Sequence, residues 1–466
     1  MLSYFMVLIK SISGVRGTIH KDDNEGLSSL EIKECVEQFA FWLLCNDNFK
    51  EKLIVIGRDG RSTGKKILTQ IIDILIKLNI NILNLDLTTT PSVQMAIITE
   101  QCIGGIMVSA SHNPINWNGL KFLNYEGEFL SKKQSDQFFA FQKDSSLKMN
   151  STSMFGSIKK LDYREKHISL ILNLSDIDVN VIKERKLKIV IDGINSSGGV
   201  FVPFLLEKLG VEVIKLNCTP NGFFSHDPEP LPNNLTKLSS LVVSNKADLG
   251  IAVDPDVDRL VFVCEDGSFF GEEYTIVAIA KYILSNRKGN TVCNLSSSNA
   301  LKDITLANGG VHFYSPVGEA NVVQVMKENN AIFGGEGSGG VIFPDLHYGR
   351  DALVGIALFL SLISRENLRL TALKKMLPKY FMLKEKINIS KEFTFKKFLS
   401  RYKDSFSKVK DIILIDGVRI NFDCNSWIHI RKSNTEPIIR IISESNSSNR
   451  VTQLMNDVII KLKNIK

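Results

Sequence analysis

The segment SASHNP at 109–114 directly follows the apolar run IGGIMV. A serine at the carboxyl end of a strand in an open α/β sheet lies where such sheets bind ligands. Ser111 brings a hydroxyl able to act as a nucleophile or to carry a phosphate. His112 is its titratable neighbour, and Asn113-Pro114 enforces a turn. A polar turn after a strand is the plainer alternative for this hexapeptide taken alone. The segment DPDVDR at 254–259 places carboxylates at i, i+2 and i+4: Asp254, Asp256 and Asp258. Like charges this close are costly unless a cation neutralises them. Hard oxygen donors suit Mg2+, which keeps waters and takes a phosphate oxygen as a further ligand. Arg259, beside them, can hold a phosphoryl group.

Two further segments suit a phosphorylated polyol. In GGEGSGG at 334–340 the glycines let a ligand approach the backbone closely. Glu336 can accept hydrogen bonds from two vicinal hydroxyls, with Ser338 beside it. No Lys-Ser/Thr follows the last glycine, so this is not a Walker loop. In RKSNTEP at 431–437, Arg431, Ser433, Asn434 and Thr435 gather a guanidinium, two hydroxyls and an amide. That set suits a phosphate monoester dianion. Smaller segments complete the inventory: ISGVRG with Arg16, GRDGRSTG with Arg58 and Arg61, and NGLK with Lys121, placed to act on a hydroxyl proton.

The elements that must position these residues alternate between strand-like and amphipathic segments, which predicts an α/β fold. Residues 53–57, 80–86 and 103–108 read as buried strands. Residues 65–77 read as a helix with Ile67, Leu68, Ile71, Ile72 and Leu75 on one face. A helix begins at Ser28, with Glu31 completing a capping box. A polar stretch at 143–160 suggests a boundary. Beyond it, strands are expected at 187–193, 211–217 and 249–254, with a helix at 199–209. A third block from about 268 repeats the pattern to 329. The last part differs: helices at 393–402 and 450–463 flank a β-meander over 411–416, 418–423, 427–431 and 438–445.

The chain has 466 residues, 44 % hydrophobic and 23 % charged, with formal charge +7. Length alone allows two to four domains. The lysines are spread rather than striped, so no nucleic-acid partner is expected. No apolar run reaches the roughly 18–20 residues of a spanning helix, so no membrane partner is expected either. Seven cysteines without a C-x-x-C pair argue against a disulfide framework and for a reducing, cytoplasmic setting. The start, MLSYFMVLIK, lacks a basic region and a cleavage site. It reads as an extension into a strand, with Met1 and Met6 both open as starts.

In this order the motifs GVRG, GRDGRSTG, SASHNP, NGLK, DPDVDR, GEGSGG and RKSNTEP resemble the α-D-phosphohexomutase family over essentially the whole chain. The resemblance implies four domains around a central cleft: 1–152, 153–264, 265–378 and a smaller α+β domain, 379–466, that closes over the substrate phosphate. It implies Ser111 as phosphoserine, and Mg2+ held by Asp254, Asp256, Asp258 and a phosphoserine oxygen. Glu336 and Ser338 would hold sugar hydroxyls. Arg431, Ser433, Asn434 and Thr435 would hold the distal phosphate, with Arg16, His112, Lys121 and Arg259 at the reacting end. The partner is a small phosphosugar, with a sugar bisphosphate as activator; the enzyme would be a monomer or homodimer.

Three positions depart from the family pattern. Pro255 and Val257 stand where glycines are usual, which predicts a stiffer metal loop. Gly340 stands where a histidine is common, and His347 is a candidate substitute. Glu319, in SPVGEANV, stands where hexose-specific members often carry histidine, and a carboxylate there suits a substrate ammonium. With the opening LIKSISGVRGTI, this favours conversion of glucosamine-6-phosphate to glucosamine-1-phosphate. The mannose- and glucose-phosphate branches are the alternative. A haloacid-dehalogenase-type phosphatase with Asp254 as nucleophile is a distant rival, since Asp258 breaks its pattern and it leaves SASHNP and RKSNTEP unexplained. An inert sugar-phosphate-binding module is disfavoured because Ser111 and all three aspartates occur together.

Overall fold

Uninterrupted apolar runs such as Ile54-Val55-Ile56 suit strands buried on both faces, which is how parallel sheets are covered. The computed structural model describes residues 7–20, 25–46, 51–141, 155–388, 393–433 and 438–464. It divides into two compact units: Met1–Thr275 with Ser338–Lys374, and Ile276–Gly337 with Lys375–Lys466. No helix of the described residues is long and apolar enough to cross a membrane. No disulfide joins the seven cysteines.

The first unit begins with a seven-stranded mixed sheet. Leu53–Arg58 lies parallel between Asn81–Leu87 and Gly104–Val108. Trp117–Leu123 runs antiparallel on Gly104–Val108, and Gly14–Thr18 antiparallel on Trp117–Leu123. The helix Gly64–Lys77 buries Ile67, Leu68, Ile71 and Leu75, as its period requires. Phe39, on the helix Ser29–Asn46, packs on Phe122 with ring centroids 4.7 Å apart. Ser28 caps that helix by accepting from the Glu31 N–H at 3.2 Å. The Glu31 carboxylate pairs with Lys10 at 3.0 Å, so no reciprocal capping-box bond is found. Within the polar stretch at 143–160, Ile158–Lys160 adds a parallel edge strand beside Asn81–Leu87.

The second sheet orders Leu260–Cys264, Leu249–Val253, Lys188–Asp192 and Glu212–Leu216. The last three are parallel, and Leu260–Cys264 returns antiparallel with Val253 opposite Leu260. DPDVDR is therefore the turn of a hairpin, which is why its three carboxylates share one tip. Among the helices of this unit that carry no sequence expectation are Thr90–Thr99 and Ala352–Arg365, both next to the acidic turn. Both are buried nearly all round, so neither shows the polar face that reveals a helical period. The hairpin Gly340–Phe343 and His347–Arg350 precedes the second of them.

In the second unit Asn290–Asn294 lies parallel between His312–Ser315 and Ala331–Glu336. The final sheet is antiparallel throughout: Val409–Ile413, Val418–Phe422, Ser426–Lys432 and Ile438–Ser445 form the expected meander. A fifth strand, Phe381–Asn388, pairs with Ile438–Ser445. It was not foreseen because it is an exposed edge whose run Lys384-Glu385-Lys386 hides any alternation. The helix Ser448–Lys463 buries Val451, Leu454, Met455, Val458 and Leu462.

Candidate active site

Ser111 follows the strand Gly104–Val108 with φ +50°, in the left-handed region, and is almost fully buried. Its N–H donates to Ser109 Oγ at 2.8 Å, and the Ser109 hydroxyl donates to Asp59 Oδ2 at 2.8 Å. Arg61, 1 % exposed, cages the loop from below. It donates to the carbonyls of Pro114 (2.7 Å), Trp117 (3.0 Å), Ser111 (2.6 Å) and Asn113 (2.6 Å), and pairs with Asp59 at 3.2 Å. Arg58 instead pairs at the surface with Asp86. GRDGRSTG thus holds the serine loop through Asp59 and Arg61.

The Ser111 hydroxyl donates to Asp254 Oδ2 at 2.7 Å and lies 3.3 Å from His112 Nδ1. Burial, with Arg259 and Arg16 nearby, pushes His112 well below its ordinary value, so the imidazole is neutral at neutral pH. Arg16 donates to Asn113 Oδ1 at 3.3 Å, and Arg259 pairs with Glu229 at 3.3 Å.

The three carboxylates of the acidic turn are fully buried, with potential ligand oxygens all within 4.8 Å of one another. Asp254 Oδ1 accepts the N–H groups of Asp258 (3.0 Å) and Arg259 (3.1 Å). Asp256 Oδ2 accepts from the Thr90 hydroxyl and the Lys121 ammonium, and the Asp256 carbonyl accepts the Thr90 N–H at 3.0 Å. Asp258 Oδ2 accepts from Lys121 at 3.0 Å and from Arg350 Nη2 at 2.8 Å. Asp256 Oδ1 and Asp258 Oδ1 are buried without a hydrogen-bond partner.

Burial and the repulsion of Asp258 and Asp256 push the Asp254 carboxyl well above its ordinary value. Burial acts the same way on Asp258, but Arg350, Lys121 and Arg259 outweigh it and hold that carboxyl far below. Burial would lower Lys121; Asp256 and Asp258 outweigh it, so Lys121 is an ammonium at neutral pH. Two orphaned oxygens, and a third carboxylate whose charged form is disfavoured by burial and by its acidic neighbours, fit a small divalent cation with oxygen ligands.

The departures from the family pattern have structural consequences. Val257 is fully buried at φ +64°, a region glycine enters freely and a β-branched residue does not. Such strain costs on the order of 1–3 kcal/mol. The turn is anchored on both sides of it: Ser196 Oγ donates to the Pro255 carbonyl at 2.6 Å, and the Ala352 N–H to the Val257 carbonyl at 3.2 Å. A Cβ on Gly340 would lie 2.3 Å from Arg350 Cδ, so a histidine at 340 would require the Arg350 side chain to move from its place over this residue. His347, the candidate substitute, is turned towards Asp351. It is 4 % exposed, with Nε2 3.4 Å from Asp351 Oδ2. Asp351 also pairs with His167 at 2.9 Å and caps the helix Ala352–Arg365 through Leu353 and Val354.

In the second unit Glu336 ends the strand Ala331–Glu336 and accepts from Asn294 Nδ2 (2.7 Å) and the Gly318 N–H (3.0 Å). Glu319 opens the helix Glu319–Glu328 and is buried. Arg431 lies on the strand Ser426–Lys432 and pairs with Asp416 at 3.3 Å. Asp416 also accepts the Val317 N–H at 3.0 Å, so one carboxylate joins Arg431 to the turn before Glu319. Arg419 is sandwiched between Tyr314 and Trp427 and donates to the Leu295 carbonyl at 2.6 Å. The Ser433 N–H donates to the Ile438 carbonyl at 2.9 Å. Asn434 and Thr435 lie outside the described residues. Ser338 begins the returning segment of the first unit, in the turn after Glu336.

The first unit therefore brings together Arg16, Ser111, His112, Lys121, Asp254, Asp256, Asp258 and Arg259. The sequence assigned no role to Asp59, Arg61, Thr90, Glu229 or Arg350. Asp59 and Arg61 lie in the GRDGRSTG segment that the sequence singles out, but the serine loop they hold is some 50 residues on, and the partners of Thr90, Glu229 and Arg350 are also distant in the chain, so local spacing does not reveal these roles.

A buried serine facing three carboxylates and a ring of cations has the groups that phosphoryl transfer uses: a hydroxyl, oxygen ligands for a divalent cation, and positive charge. Four models of phosphoglucomutase/phosphomannomutase match in order: α/β/α domain I at 9–145, domain II at 165–267, domain III at 271–380 and the C-terminal domain at 383–461. The chain belongs to this phosphohexomutase family and is an isomerase of the mutase type. It is 33 % identical to a phosphoglucomutase/phosphomannomutase of Thermococcus kodakarensis, covering 92 % of this chain and 95 % of the relative. It is 30 % identical to a probable phosphoglucosamine mutase of Methanopyrus kandleri, covering 87 % and 89 %. A crystal structure of a phosphoglucomutase/phosphomannomutase family protein from Burkholderia thailandensis shares the fold, with TM-score 0.83, 24 % identity and 98 % of each chain covered.

Proposed function

We propose that the protein interconverts glucosamine-6-phosphate and glucosamine-1-phosphate, carrying a phosphoryl group on Ser111. The observation that carries this reading is the Ser111 hydroxyl bonded to Asp254 within a carboxylate triad that keeps two orphaned oxygens. Asp254, Asp256 and Asp258 would hold Mg2+, which supplies charge neutralisation at the transferring phosphoryl group. Phosphoryl transfer asks mainly for such positioning and charge. Lys121, an ammonium, together with Arg16 and Arg259, holds phosphoryl oxygens. Neutral His112 orients the serine side chain. The phosphoserine P–O bond breaks as a sugar hydroxyl bonds to phosphorus; the hydroxyl proton is passed on and the departing Ser111 oxygen takes up a proton, giving a bisphosphate and a free serine hydroxyl. The other phosphate then returns to Ser111, so a sugar bisphosphate also primes the enzyme.

Glu336 and Ser338 hold sugar hydroxyls in this reading, and Arg431, Ser433, Asn434 and Thr435 the distal phosphate. Domain limits of 1–152, 153–264, 265–378 and 379–466 place one such loop in each domain. The glucosamine preference draws on Glu319 and on relatives named probable phosphoglucosamine mutase. The Thermococcus phosphoglucomutase/phosphomannomutase favours a second reading, glucose- and mannose-phosphate turnover. A panel of glucosamine-, glucose- and mannose-6-phosphate, each with a trace of bisphosphate, separates the two. The first reading expects the highest kcat/KM for glucosamine-6-phosphate; an advantage for glucose or mannose overturns it.

A further inference from the structure

The two oxygens of Asp258 face different surroundings. Oδ2 takes Arg350 Nη2 at 2.8 Å and Lys121 Nζ at 3.0 Å, while Oδ1 is buried with no partner. The two donors are not equivalent. Lys121 is shared with Asp256 and Thr90 and belongs to the proposed phosphoryl machinery. Arg350 arrives from a separate hairpin, with Ile342 opposite it in register. Its side chain lies across Gly340, where an added Cβ would be 2.3 Å from Cδ and 3.1 Å from Cγ. The next residue, Asp351, is pinned by His167 and by the helix it caps, so the backbone that delivers Arg350 has little freedom.

Arg350 and Lys121 together occupy both lone pairs of Asp258 Oδ2, so the carboxylate offers a metal only Oδ1; losing the Arg350 bond frees one lone pair of Oδ2 for a metal. Mg2+ binds single oxygens at about 2.0–2.1 Å in an octahedron, whereas the larger Ca2+ takes more oxygens and readily accepts a carboxylate through both. We infer that Arg350 is a positioning residue that keeps Asp258 monodentate and so sets the preference of the acidic turn for Mg2+ over Ca2+. Gly340 is part of the same device, because a Cβ there would push the Arg350 side chain off its present course. The inference rests on reading the acidic turn as the metal site. Removing Arg350 also removes a positive charge, which strengthens binding of any divalent cation. Mg2+ and Ca2+ carry equal charge, so that effect cancels in their ratio.

The test is displacement of bound Mn2+ by Mg2+ and by Ca2+, followed by electron paramagnetic resonance on the full chain without substrate. Arg350→Met keeps the aliphatic stem over Gly340 and removes the guanidinium. It is expected to move the Mg2+/Ca2+ ratio about tenfold towards Ca2+, the scale on which partners of ligating carboxylates act. Gly340→Ala, which displaces Arg350 while leaving it in the sequence, is expected to move the ratio the same way. In Arg350→Met, adding Gly340→Ala is expected to change nothing further. Thermal unfolding of each variant identifies any loss of fold. An unchanged ratio in folded Arg350→Met, while Asp256→Asn abolishes Mn2+ binding, overturns the role of Arg350 alone. Mn2+ binding that survives Asp256→Asn overturns the metal assignment and this inference with it.

Discussion

Ser111 and Asp254 are 143 residues apart in the chain and 2.7 Å apart at Oγ and Oδ2. Each sits just beyond the carboxyl end of a strand, Ser111 after Gly104–Val108 and Asp254 after Leu249–Val253. Asp254 is also the carboxylate that burial and its two acidic neighbours hold above its ordinary value. The proposed phosphoryl carrier is therefore already in contact with the acidic turn, through a carboxyl whose charged form burial and its acidic neighbours disfavour.

Ser111→Ala is expected to lower kcat by on the order of 10³-fold or more, as loss of a covalent carrier does. Thermal unfolding should stay close to that of the parent, since one hydroxyl contributes about 1 kcal/mol. Intact-mass spectrometry should find one phosphate on the parent, mapped to Ser111, and none on the variant. Phosphate mapped to Asp254 would instead favour the phosphatase reading.

Chelation is expected to stop turnover, and added Mg2+ to restore it. At a hundredfold excess over Kd the ion should stabilise the fold by about 2.7 kcal/mol. Differential scanning calorimetry with and without Mg2+ measures this, and Asp256→Asn should remove the increment. Full activity in excess chelator would remove the metal from the mechanism.

Arg61→Met should be costly although the bonds of Arg61 go to Asp59 and to the serine loop rather than to the acidic turn. It strips donors from four carbonyls and leaves Asp59 buried without its partner. Breaking a buried pair in this way costs about 3–5 kcal/mol. Urea unfolding should show that loss, with kcat falling more than KM rises because the serine loop is no longer caged.

Acid should weaken the second unit through His429. Burial pushes this imidazole from 6.5 down to about 4, with Asp416 opposing and Arg419 and Arg431 adding to the effect. The folded state therefore favours neutral His429, and its contribution is complete above the unfolded value of 6.5. As pH falls from 6.5 towards 4 the unfolded chain takes up the proton first, and about 3 kcal/mol is lost. His312, pushed down to about 3 mainly by burial, acts in the same direction. Urea unfolding between pH 7 and pH 4 should show the fall, and His429→Gln should flatten part of it.

Much of the architecture was legible locally. The helix Gly64–Lys77 and the meander Val409–Ser445 follow from apolar period and alternation. Thr90–Thr99 and Ala352–Arg365 were not legible, because a helix buried all round has no polar face to mark its turns. Yet these helices deliver Thr90 to Asp256 and the Asp351 cap that pins Arg350.

By itself the sequence determined the chemistry available: a serine in a turn after a strand, three aspartates at alternate positions, and phosphate- and polyol-binding groups in a recognisable order. Only the tertiary structure decided how those groups are used. It left Oδ1 of Asp256 and Asp258 without partners, seated His347 against Asp351, and laid Arg350 over Gly340 to reach Asp258. These outcomes depend on which oxygen of a carboxylate meets which donor across strands and helices distant in the chain. That is set by sheet packing and side-chain direction, for which residue type and spacing carry no signal.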